Sequence, residues 1–292
     1  MDPNDVLISF SLALYSQWFY HKPTRCLFDA GEGVATALGK KVYAIRHVFL
    51  THGHEDHIAG ISNLVNIRNL TSGEQDKPLT IYYPIHDRWI DALIEYIEKK
   101  QSGLLRYPLY VQPIEPGAEI EIDVAKRPTM VTAFEMKHSR GRLCLGYDIR
   151  QERKVVDDAT GKPVTRYHPI FFYTGDGYEP VYTPVPGSRI DMAVHEATFL
   201  ARDAELASKL VGAGHTTVEN AVDWAARQDV KQLILCHTSD RYHIDEVCRA
   251  AAQAKVKCRF RGEIYIAHCD KIIKVADGSE GNSSVLVSTT SC

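Results

Sequence analysis

The stretch HVFLTHGHEDHIAG (residues 47–60) runs from an apolar segment straight into His52, His54, Asp56 and His57. His47 to Leu50 has the aromatic and β-branched character of a buried strand. In an extended segment alternate residues face the same way, so His52 and His54 aim at one point. Asp56 and His57 follow where the chain turns into a helix read over DHIAGISNLVNIR (56–68), and they face a second point nearby. Imidazole nitrogen and carboxylate oxygen suit Zn²⁺, with Mn²⁺ or Fe²⁺ as alternatives, and two directions call for two divalent ions. A solvated turn gives no reason to crowd such donors at the end of an apolar strand.

Two metals need ligands from elsewhere in the chain. Further short apolar runs read as strands: RCLFDAGEG (25–33), LTIYYP (79–84), VTAFEMKH (131–138), CLGYDIR (144–150), IFFYTGDG (170–177), DMAVHEAT (191–198) and QLILCHTS (232–239). His138, Asp176, His195 and His237 lie where four of these runs end. Residues 86–100 read as a helix whose apolar stripe is Trp89, Ile90, Leu93, Ile94 and Ile97. Another helix starts at Thr216, where T-x-x-E resembles a capping box before AVDWAARQ. The pattern is α/β, with layered sheets covered by helices.

Composition narrows the class. The chain has 292 residues, 45% hydrophobic and 24% charged, with a net charge of −3, which argues against a broadly basic nucleic-acid surface. Seven cysteines, odd in number and scattered, support neither a disulfide framework nor a zinc knuckle, so a reducing cytoplasm is the simpler location. Nothing approaches the roughly 20 apolar residues that span a bilayer. Residues 1–277 read as one domain and the Ser/Thr-rich 278–292 as a mobile tail.

The order of these motifs resembles the metallo-β-lactamase superfamily, and within it the ribonuclease Z family of tRNA 3′ endonucleases. The matching segments are LFDAGEG (27–33), FLTHGHEDHIAG (49–60), KHS (137–139), GY (146–147), YTGDG (173–177), HEATF (195–199), GHTT (214–217) and LILCHTSDRY (233–242). The resemblance implies a four-layer αββα sandwich and a homodimer. It implies one metal on His52, His54 and His138, another on Asp56, His57 and His237, and Asp176 bridging them. It gives Asp56 the attacking water, and the pair Glu196 and His215 the proton for the departing oxygen. Arg241 would hold a substrate phosphate, and Asp29 would fix a ligating histidine from behind.

Strand alternation turns His195 away from Glu196, and Cys236 away from His237, so both read as packing residues. Residues 139–175 already hold two strands, which leaves space for a modest hairpin turning at DATG (158–161) but not for the family's long tRNA-gripping arm. The family's glycine-threonine turn is absent from ISFSLALYSQWFY (8–20). Arg140, Arg142, Arg150, Arg153 and Lys154 form a loose basic cluster that could meet phosphates. The expected activity is therefore a dinuclear phosphodiesterase acting on RNA, such as tRNA. Alternatives are a diesterase for small or cyclic nucleotides, then a thioester, lactone or sulfate-ester hydrolase. Purely structural metals fit poorly, because the set is rich in carboxylates and should leave a water position open.

Overall fold

The computed structural model describes residues 2–70, 77–124, 127–138, 141–156, 160–178, 180, 182, 188–209 and 214–276. One sheet holds, side by side in chain order, β1 (Leu7–Leu12), β2 (Ser16–His21), β3 (Cys26–Phe28), β4 (His47–Phe49), β5 (Leu79–Pro84) and β6 (Leu109–Ile114). A second holds β7 (Glu119–Val124), β8 (Arg127–Met136), β9 (Cys144–Val156), β10 (Pro163–Tyr173), β11 (Met192–Glu196), β12 (Gln232–Cys236), β13 (Glu263–His268) and β14 (Lys271–Lys274), again in chain order. The helices are α1 (Pro3–Val6), α2 (Val34–Leu38), α3 (Glu55–Ile58), α4 (Ile61–Leu70), α5 (Arg88–Gln101), α6 (Ala204–Lys209), α7 (Val218–Arg227) and α8 (Ile244–Lys257).

Strands β3 to β6 are parallel, as are β10 to β13. Parallel neighbours need crossovers, and the helices supply them. Phe19, Phe28, Phe49, Tyr147, Phe171 and Tyr173 meet between the sheets, where Phe28 lies 5.1 Å from Phe171 and 5.6 Å from Phe49 by ring centroid. A second apolar layer joins the first sheet to α2, α4 and α5, and a third joins the other sheet to α7 and α8. These three cores make the four-layer αββα sandwich that the motif order implied.

The parallel strands point their C-terminal ends the same way, and the candidate ligands leave the sheets there, as open α/β sheets favour. The interval after His138 forms the expected hairpin, β9 on β10, with Val156 opposite Pro163 and Tyr147 opposite Tyr173. Its turn residues 157–159 and the tail at 278–292 lie outside the described residues.

Several expectations change. The segment ISFSLALYSQWFY forms the β1–β2 hairpin, turning through Leu14 at φ 71° with none of the usual turn residues. The helix read over 56–68 breaks at Ala59–Gly60 into α3 and α4. Thr217, not Thr216, caps α7 by accepting from Asn220 N at 3.2 Å. Trp89 leaves the apolar stripe of α5 and stands 43% exposed, while Ile90, Ile94 and Ile97 are buried. Cys26, Cys144, Cys236, Cys248 and Cys258 are free thiols. Among the described residues, no helix is long and apolar enough to cross a membrane.

Candidate metal centre

Extended backbone through Thr51 to His54 and the first turn of α3 carry the motif histidines from the end of β4. Gly53 has a steric reason. A Cβ there would stand 2.4 Å from Asp87 Oδ1, and the same carboxylate accepts from Gly53 N at 2.9 Å. Gly175, at φ 61° ahead of Asp176, lies against Thr51, where a Cβ would come within 2.5 Å of Cγ2. His237 follows β12 at φ 55°, and its amide donates to Ser11 Oγ at 2.7 Å. That left-handed backbone, uncommon outside glycine, turns the ring toward the centre.

His52, His54, His138 and Asp176 bring one donor atom each into a cluster, Asp56, His57 and His237 make a second, and Asp176, His215 and His237 a third. Within each cluster the donor atoms lie within 4.8 Å of one another. His54 Nδ1 stands 2.8 Å from His52 Nε2 and 3.3 Å from His138 Nε2. Asp176 Oδ2 lies 3.3 Å from both His57 Nε2 and His237 Nε2, and 3.9 Å from His52 Nε2 and His138 Nε2. One carboxylate therefore reaches both triads.

The electrostatics suit cations. Burial lowers the pKa of His52 well below the usual histidine value and that of His54 to about 4, leaving uncharged rings with lone pairs to give. Burial works against an ionised Asp176, but the charges of His237 and His57 outweigh it and hold the carboxyl well below its ordinary range. Burial also opposes a charged His57, yet Asp176, Asp56 and Asp29 raise its pKa well above the usual value. A metal at this ring would compete with a proton for its nitrogen. His57 Nε2 and Asp176 Oδ1 are buried without a well-formed hydrogen bond, which in a native interior calls for a partner. Divalent metal fits this donor set.

The ligands are braced from behind. Asp29, at φ 54° and fully buried, accepts from His57 Nδ1 at 2.8 Å, Thr51 N at 2.8 Å and Tyr173 Oη at 2.6 Å. Such partners fix the tautomer and orientation of a ligating ring. Asn tolerates the left-handed conformation and keeps the shape, so Asp29→Asn removes the charge and turns one accepting oxygen into a donor facing another donor. Its expected effect is a loss of roughly 10–100-fold in metal affinity, measured by chelator competition. His138 Nδ1 donates to Gly214 O at 2.9 Å. Thr198 Oγ1 lies 2.9 Å from His237 Nδ1 and donates to Glu196 Oε2 at 2.6 Å, a relay that no sequence motif announced.

Glu196 is fully buried, and its Oε1 lies 3.0 Å from His215 Nδ1. Burial opposes a charged ring, but the Glu196 charge and hydrogen bond overcome it and raise the His215 pKa to about 9. With Nδ1 engaged by Glu196, Nε2 is the nitrogen left to serve a reacting group. Asp56 Oδ2 accepts from Leu14 N at 3.1 Å, so the unrecognised β1–β2 turn reaches the centre through its backbone. His195 is buried against Trp224, 4.9 Å between rings, and its Nδ1 donates to Glu196 O; Cys236 is buried between the sheets. Both match the packing reading.

The phosphate candidates divide. Arg241 is exposed, with Nε on Ser239 Oγ at 3.1 Å and its guanidinium 5.3 Å from the Phe199 ring centroid. Arg150 and Arg153 do not cluster at the centre, because β9 runs away from it. Arg150 pairs with Glu119 at 2.9 Å and Arg153 with Asp191 at 2.8 Å, at the far end of β11 from Glu196. Arg140 lies outside the described residues, and Arg142 stays beside His54.

Comparison with known proteins shows the family and the fold. A family model described as beta-lactamase superfamily domain matches residues 24–238. The chain is 30% identical over 254 residues to ribonuclease Z of Bacillus velezensis, covering 74% of this chain and 78% of that protein. Its fold is similar to the crystal structure of human tRNase Z, short form, with a TM-score of 0.62 at 21% identity, covering 92% of this chain and 99% of that one. It is also similar to the metallo-β-lactamase fold protein YhfI of Bacillus subtilis, with a TM-score of 0.61 at 20% identity and the same coverage.

Proposed function

Since the chain belongs to the beta-lactamase superfamily, we propose that it is a metal-dependent hydrolase that cleaves RNA phosphodiester bonds as a ribonuclease Z-like tRNA 3′ endonuclease. The observation that carries the reading is the Glu196–His215 pair set against the donor clusters, at 3.0 Å and beside Asp176 and His237. Relatives named ribonuclease Z support the substrate class.

In this reading His52, His54 and His138 would hold one divalent ion and Asp56, His57 and His237 the other, with Asp176 within reach of both triads; Zn²⁺ is the simplest choice for nitrogen-rich donors. Two bound dications supply a water of lowered pKa and neutralise charge on the phosphate oxygens. Asp56, whose pKa the neighbouring His57 and His237 hold down against the cost of its burial, would stay an ionised acceptor able to orient an attacking water. His215 gives its proton to the departing oxygen, and Glu196 keeps the ring turned and charged. Arg241 holds a non-bridging phosphate oxygen. A homodimer and a cytoplasmic location belong to the same reading and rest on the family resemblance.

Metal-replete protein incubated with precursor tRNA, with bis-p-nitrophenyl phosphate and with a panel of cyclic nucleotides tests it. The expected result is cleavage of the precursor at its 3′ side together with diesterase turnover. Hydrolysis of cyclic nucleotides with the precursor left intact would move the activity to small diesters, and no diester hydrolysis at all would defeat the reading.

A further inference from the structure

The donor clusters account for where a phosphorus atom would sit, but not for the side chain that stands at their edge. Trp89, in the first turn of α5, is 43% exposed, whereas Trp18 and Trp224 are 2% and 1% exposed. Its ring lies 5.9 Å from that of His54. The guanidinium carbon of Arg142 stands 3.6 Å from the indole centroid, so a cation covers one part of the ring system and the rest is open.

This stack is braced. Asp87 Oδ1 caps α5 by accepting from Trp89 N at 3.0 Å, and its Oδ2 accepts from Gly53 N at 2.9 Å and lies 3.8 Å from Arg142 Nε. One buried carboxylate thereby ties the indole, the guanidinium and the histidine loop into a fixed arrangement. Helix packing does not explain Trp89, since Ile90, Ile94 and Ile97 fill the core side of α5. An exposed indole gains by covering its open surface, and a cation behind it favours an anionic partner.

We propose that the open surface of Trp89, backed by Arg142, is a stacking subsite for the nucleobase next to the phosphate held at the metal centre. The proposal rests on the diesterase reading and adds to it how a single-stranded nucleic acid is gripped beside the reacting bond. Every base has a π-face, so stacking on indole tolerates any sequence and each contact contributes substantially to affinity. The subsite gives this chain a hold on the strand that does not depend on a long arm or a basic surface.

Tryptophan emission reads the subsite directly, because the other two tryptophans are buried. The holoenzyme is titrated with a single-stranded RNA trinucleotide whose linkages are phosphorothioates. Expected is saturable quenching in the wild type; in Trp89→Leu and Trp89→Phe, which lack the reporting indole, binding is read by competition, and it should be lost in Trp89→Leu and largely kept in Trp89→Phe. In parallel, kcat/KM is measured for the cleavable trinucleotide and its abasic analogue. The holoenzyme should prefer the base-bearing substrate by roughly tenfold to a hundredfold, a preference that collapses in Trp89→Leu and returns in part in Trp89→Phe. Absence of quenching, or a preference unchanged in Trp89→Leu, would overturn the subsite. Quenching without hydrolysis of any diester, precursor tRNA and bis-p-nitrophenyl phosphate included, would leave the subsite standing and defeat the diesterase reading, so the two failures are distinct.

Discussion

His54→Ala should abolish diester hydrolysis and lower the metal content of the purified protein, both effects read on one preparation by turnover and elemental analysis. His54 Nδ1 is the atom between His52 Nε2 at 2.8 Å and His138 Nε2 at 3.3 Å, so the substitution removes the middle donor of that triad. The two remaining imidazoles and Asp176 would hold an ion with one nitrogen donor fewer, and so more weakly. Folding should survive. His54 is only partly buried, and burial holds its pKa at about 4, so the ring is uncharged near neutrality and no buried charge loses its partner. A variant that kept its metal and its turnover would remove His54 from the centre and with it the assignment of the first cluster.

The second large effect separates chemistry from metal binding. His215→Ala should retain full metal and lose roughly 10²–10⁴-fold in kcat on an RNA diester, the usual contribution of a placed proton donor. On bis-p-nitrophenyl phosphate the loss should be much smaller, because p-nitrophenolate leaves near neutrality without being protonated. The pH profile gives an independent reading. Glu196 raises the His215 pKa to about 9 against the cost of burial, so the required protonated form is present below that pH and lost as pH rises through it. Bound cations would repel the ring's charge and move the limb lower. Wild-type kcat on RNA should therefore fall on an alkaline limb at or below about 9, and that limb should vanish in His215→Ala. Equal losses on both substrates, or an unchanged limb, would take the proton away from His215.

Much of the centre was readable because its information is local. H-x-H-x-D-H needs only an apolar strand and a turn to be recognised, and the partner residues each follow a recognisable strand at the C-terminal ends of the sheets. The period of two correctly turned His195 toward Trp224 and Cys236 into the intersheet core. The same local reading failed where a contact, rather than a period, sets the conformation. Leu14 turns the β1–β2 hairpin at φ 71° without a glycine, because its amide is held by Asp56 and Ala13 N by Thr238 O. Trp89 fits a helical stripe by spacing, yet the cation of Arg142, distant in sequence, holds it at the edge of the centre.

The sequence by itself determined the inventory: which donors exist, which lie on the same side of a strand, and that two sheets with helical cover must bury the apolar runs. Tertiary structure alone decided the partnerships that make the inventory chemical. Asp29 reaches His57, Asp87 joins Gly53 to α5, Thr198 links His237 to Glu196, and Asp176 stands between two triads. Each depends on how strands from distant parts of the chain align and how loops leave their ends. Periodicity within one segment carries no information on that alignment, whereas burial of the shared core fixes it.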